Sequence, residues 1–146
     1  KRPLFMIKGA WGMMLLSIIC GFALALDLLG DQGPALFGFV LLFGWLLTYI
    51  KGMLQRIVPF LAAMNMSKRN HKPPRLSELA QGSPLKLHAI CHGLAIVVGA
   101  TSIALDQPDG LRVAGLVGFI GAAGFAWFCF SVLRSFFTYH RTAAEN

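Results

Sequence analysis

His88, Cys91 and His92 are the residues of this chain best placed to do chemistry. Their i, i+3, i+4 spacing sets two imidazoles and a thiol on one face of a helix. Two imidazoles four residues apart can share a metal ion, and imidazole with thiolate suits zinc or copper. A single b-type haem takes its axial ligands from opposite faces, so these two histidines cannot both serve one haem. A second ligand would have to come from another helix, and His71 and His140 are not obviously placed for it. The competing reading is plain: two interfacial histidines bonded to headgroups or backbone carbonyls.

A second constellation lies upstream. Thr48, Lys51 and Gln55, at i, i+3 and i+7, give one polar face at the edge of an apolar run. Lys51 and Arg56 open a basic stretch that continues with Lys68, Arg69, Lys72 and Arg75. Such a stretch either fixes orientation in a membrane or clamps haem propionates, a lipid phosphate or an acidic partner. The candidate cofactor contacts are therefore His88, His92, Arg56 and Lys51, and the candidate cofactors are haem b or a quinone. No Ser/His/Asp set or carboxylate pair is recognisable, so the chain is not expected to be catalytic alone. Cys20, Cys91 and Cys129 lie in three different apolar runs without Cys-x-x-Cys pairing, as buried free thiols do.

Four uncharged runs must position these groups: Gly9–Leu26, Gly33–Ile50, Leu87–Leu105 and Val113–Leu133. At about 1.5 Å per residue each approaches the roughly 30 Å of a hydrocarbon core. No Asp, Glu, Lys or Arg occupies the centre of a run, which weighs against a pump or an ion-coupled carrier. Twelve of the thirteen Lys and Arg residues fall at the N-terminus, in residues 51–86 or after Leu133. Asp27, Asp31, Asp106 and Asp109 fall in the other two connections, with Arg112 alone among the basic residues. The positive-inside rule then sets both termini and the middle loop in the cytoplasm. The net charge of +7 is thus topogenic. Anionic headgroups are its partner, and no nucleic acid is expected.

The expected fold is all-α: a four-helix transmembrane bundle of two antiparallel hairpins, with helices at about 4–29, 33–57, 85–105 and 111–137. A basic loop at about 58–84 joins the hairpins. Pro59 is expected to break the second helix, Pro34 suits the first turn of that helix, and Asp109 is a candidate N-cap. Leu76–Ala80 reads as a short surface helix. Small residues repeat every four positions at Ser17, Gly21 and Ala25, and again at Ala114, Gly118, Ala122 and Ala126. Stripes of this kind let membrane helices approach closely, within the chain or against other membrane subunits. Trp11, Tyr49, Phe136, Phe137 and Tyr139 gather at the cytoplasmic boundary as interfacial anchors. Lys1-Arg2 with Ala23-Leu24-Ala25 imitates a secretory signal, but its apolar run is too long, and it reads as a retained helix. Without an initiator Met, the chain reads as an internal or C-terminal piece of something longer.

Gly44-Trp45, then Lys51-Gly52-Met53-Leu54-Gln55-Arg56-Ile57-Val58-Pro59-Phe60-Leu61, then Pro73-Pro74-Arg75-Leu76 resembles the C-terminal region of bacterial proteins related to haem-copper oxidase subunit I. The likeness covers residues 44–105, and its specific part is 51–61. It implies a bacterial inner-membrane protein in electron transport. The family pattern continues with a Trp and a His where this chain has Ala63 and Asn65, so no haem or copper ligand carries over. Three functions are open. One is a non-catalytic domain or subunit of a respiratory-type redox complex supporting a haem or quinone site. Another is a cofactor-free membrane scaffold or assembly subunit. The third is a subunit of an oligomeric carrier for a neutral or lipidic substrate.

The charge asymmetry carries a direct test. In a Cys-free background, single cysteines replacing Asn70 or Ala143 should react with an impermeant maleimide only from the cytoplasmic face. Labelling at position 70 from outside intact cells would overturn the orientation.

Overall fold

The computed structural model describes residues 2–67 and 82–142. Helix α1 runs Arg2–Ala25, α2 Gly33–Phe39, α3 Leu47–Ser67, α4 Gly82–Ala104 and α5 Pro108–Thr142. A π-helical segment, Val40–Leu46, joins α2 to α3 without a break, so the three pieces form one rod. Among the described residues, four helical stretches are long and apolar enough to cross a membrane: Ile7–Ala25, Gly33–Met64, Ser83–Ala104 and Pro108–Ser135. They account for all four apolar runs of the sequence. The protein is all-helical in its described part and has the makings of an integral membrane protein.

Burial follows from that environment. The wholly apolar core is thin, comprising Ala10, Val40, Ala114, Phe128 and Val132. Phe22, Leu116 and Phe119 are well exposed, at 69%, 67% and 74%. In water such faces would drive association; against lipid tails they cost nothing. Helices α4 and α5 share the most extensive contact. The second rod lies between this pair and α1: α1 packs on the π segment and α3, α2 touches α4, and α3 touches α5.

Two turns close the ends opposite the basic loop. After α1, Asp27 N–H donates to Leu24 O and Leu28 N–H to Ala23 O, at 3.0 and 2.9 Å. After α4, Asp106 N–H donates to Ile103 O and Gln107 N–H to Ser102 O, at 3.2 and 2.8 Å. Both are Schellman caps, which satisfy the orphan carbonyls of a helix end through one left-handed residue. That residue is Asp each time, with φ of 56° at Asp27 and 51° at Asp106; short polar side chains tolerate this region better than most. Gln32 Nε2 donates to Asp106 Oδ1 at 3.1 Å and ties the two turns together.

Four expectations differ from the structure. Helix one, expected to about residue 29, ends at Ala25 ahead of the left-handed Asp27. Pro59 does not end the second helix, which continues to Ser67. Proline removes one backbone bond, and membrane helices tolerate that where neighbours re-satisfy the freed group; Pro59 is itself buried. Asp109 is not an N-cap but lies in the first turn of α5, where its charge favours the helix dipole and pairs with Arg112 at 3.0 Å. The fourth helix also begins at Pro108 and extends to Thr142, longer than its apolar run suggests. The proposed surface helix at Leu76–Ala80 lies outside the described residues.

The α4–α5 seam is set by glycine. A Cβ on Gly121 would lie 3.0 Å from Cys91 Cβ and 3.4 Å from the His92 nitrogen, closer than side chains normally pack. At Gly118 it would meet only Ala95 Cβ, at an ordinary 3.6 Å. Gly121→Leu should therefore lower stability by about 1–3 kcal/mol, as overpacking does, and Gly118→Leu by less. Thermal unfolding in detergent, followed by helical circular dichroism, checks this; a Gly121→Leu midpoint at or above the parent's would contradict the seam.

Candidate functional site: a histidine tier beside an apolar cleft

The close approach at Gly121 is what places the histidines. His88 is fully buried, and its Nδ1 lies 2.8 Å from the Gly121 carbonyl oxygen. A carbonyl can only accept, so Nδ1 carries the proton and donates. In the neutral ring Nε2 is then a bare lone pair; it is buried and has no hydrogen-bond partner. The Phe125 ring lies 5.1 Å away, centroid to centroid, and the His92 ring stacks at 5.5 Å.

One turn further along α4, His92 reaches the second rod. Its Nε2 is 2.7 Å from Thr48 Oγ1, and Thr48 Oγ1 also lies 3.3 Å from the Phe43 carbonyl five residues back. The hydroxyl has one proton. Both bonds coexist when Thr48 donates to Phe43 O and His92 donates Nε2–H to Thr48. The i−5 reach belongs to the π segment, whose wider turn brings Phe43 O under the Thr48 side chain. His88 thus joins α4 to α5, and His92 joins α4 to α3.

The sequence-derived candidates divide accordingly. Thr48, His88 and His92 come together, and Lys51 borders the same cleft as His92. Gln55 is buried on the same face of α3. Arg56 is exposed and does not line the cleft. Of the small residues, Ser17 is buried with its hydroxyl donating to Met14 O at 2.7 Å. Gly21 faces the Phe37 ring, and Ala25 is exposed. Ala114 is buried, Gly118 half-buried, and Ala122 and Ala126 are exposed. Cys20, Cys91 and Cys129 are free and half-buried. His71 lies outside the described residues.

Haem and metal can be tested against these groups. A ligating histidine ordinarily donates its other nitrogen to a carbonyl, as His88 does to Gly121. Its free Nε2, however, is closed off from the surface, and the His92 Nε2 is engaged by Thr48. A porphyrin does not fit this arrangement. Among the described residues, no three His, Cys, Asp or Glu side chains gather as a metal site.

The cleft runs along the second rod against α4 and α5, with a volume of about 770 Å³. Phe39, Leu42 and Phe43 line one wall, and Ala114, Gly118 and Ala122 another. Lys51 and His92 are its polar members. Both polar faces are legible in the helical spacing, whereas the cleft is not, because its walls are ordinary apolar residues whose opposition depends on the tertiary arrangement.

The Thr48–His92 bond has a measurable strength. A double-mutant cycle with Thr48→Val and His92→Phe should give a coupling of about 0.6 kcal/mol, the mean for hydrogen bonds between membrane helices, and no more than about 1.7 kcal/mol. Additive unfolding free energies would show that the bond does not join the helices. The chain matches no family model, no curated protein and no solved structure.

Proposed function

We propose that this chain is a membrane scaffold or assembly subunit that works without a cofactor of its own. It sits in the bilayer as two antiparallel hairpins, with both termini and the basic loop cytoplasmic, in a bacterial inner membrane. The single observation that carries the reading is the use made of the histidines. The two groups most suited to chemistry are spent on bonds between helices: His92 on Thr48 and His88 on Gly121. Imidazoles committed in this way stiffen a packed bundle, since in lipid a polar group finds its partner on a neighbouring helix. The exposed Ala126 leaves the end of the small-residue stripe open for a partner helix, while Ala122 lines the cleft.

A second reading keeps one specific observation on its side. The buried, unpartnered His88 Nε2 is a lone pair without use in a scaffold. A non-catalytic subunit of a respiratory-type redox complex, supporting a quinone or sharing a haem with a neighbour after rearrangement, would give it one.

Spectra separate the two. The protein purified from its own membrane in mild detergent should show no Soret band and no stoichiometric metal, in the parent as in His88→Ala and His92→Ala. A Soret band or a bound metal that disappears in His88→Ala would replace the scaffold reading with the redox one.

A further inference from the structure

Lys51 is out of place. It borders the cleft half-buried, within the second membrane-crossing stretch. Among the described residues the one ion pair is Arg112 with Asp109, at the opposite end of the bundle, and Lys51 meets no carboxylate of those residues. The other residues of the cleft bring no charge to balance it: its polar companion His92 is already bonded to Thr48, and the remaining lining is apolar or glycine. An ammonium partly withdrawn from water beside an apolar wall calls for an anion at that spot.

We propose that the cleft is a binding site for a singly anionic amphiphile, whose acidic head pairs with Lys51 and whose chain lies along the groove. The shape suits such an occupant. The groove runs from Lys51 to Pro34 on the same rod, about 25 Å at 1.5 Å per residue, so one extended chain is accommodated from end to end. Its volume, about 770 Å³, lies within the range of small-molecule sites. Gly115 and Gly118 lower the α5 wall, and Phe39 and Phe119 offer flat surfaces to methylenes. Charge decides the head. A neutral quinone ring would leave the ammonium uncompensated, and a zwitterionic choline head would bring a second cation beside it. A single phosphodiester or carboxylate leaves the pair neutral. Lys51 also lies toward the basic, cytoplasmic end in the proposed orientation, where anionic headgroups are concentrated.

Native mass spectrometry of the detergent-purified chain tests this, with phosphatidylglycerol, oleate, phosphatidylcholine and decylubiquinone offered as separate probes. One phosphatidylglycerol or one oleate per chain should be retained, and comparison of the two tells a phosphodiester head from a carboxylate. Lys51→Met should weaken that retention at least tenfold, while Lys51→Arg keeps it. Ala122→Phe, which fills the groove from an exposed position and leaves the helix seams alone, should weaken it comparably. Phosphatidylcholine or decylubiquinone held as tightly as phosphatidylglycerol would overturn the proposal. So would unchanged phosphatidylglycerol retention in Lys51→Met.

Discussion

Inside a bilayer a buried polar group has no water to return to, and the arrangement of this protein turns on that constraint. Thr48, His88 and His92 lie in apolar surroundings, and each finds a partner within the chain, His88 through Nδ1 with its Nε2 left unpartnered. Leaving such a group unpaired costs several kcal/mol in hydrocarbon. Apolar contact alone discriminates poorly between helix registers in lipid, because the tails are as apolar as leucine. Two hydrogen bonds, one from each histidine, therefore fix where α4 sits against both of its neighbours.

Backbone features serve those bonds. Gly121 admits α5 close enough for its carbonyl to accept from His88. The π segment brings the Phe43 carbonyl to Thr48, leaving its hydroxyl oxygen open to His92. At the far end, Asp27 and Asp106 cap α1 and α4 in the same left-handed conformation, and Gln32 joins the turns. The bundle is pinned at two levels, one of histidines and one of turns. Between them the second rod stands off from α5, and the cleft opens there.

Much of this could be read from the residues. The four uncharged runs located the four helical stretches long and apolar enough to cross a membrane, because length and lack of charge are local properties. The helical spacing of Thr48 and Lys51, and of His88 and His92, located both polar faces, although nothing in the spacing says that the faces meet. What escaped reading depends on tertiary context. Pro59 breaks helices in water, where no neighbour replaces the lost bond; here it is packed in a rod that runs on to Ser67. Gly118, Ala122 and Ala126 repeat every four residues, yet the tight seam uses Gly121. Helical drift and the direction of approach of α4 choose which glycine is crossed. The Asp caps were hidden because the left-handed position more often carries glycine.

The histidines also show why residue type alone is a weak guide to chemistry. An i, i+4 pair of imidazoles suits a metal as well as it suits two helix contacts, and only the tautomers tell them apart. The bonding described here requires opposite tautomers: Nδ1–H at His88 and Nε2–H at His92. Nitrogen-15 spectra of the two imidazoles, assigned by single substitution in detergent or bilayer samples, measure this directly. The account predicts one ring of each tautomer, both neutral and without metal-shifted or paramagnetic resonances. Two rings of the same tautomer, or a nitrogen bound to metal, would contradict it.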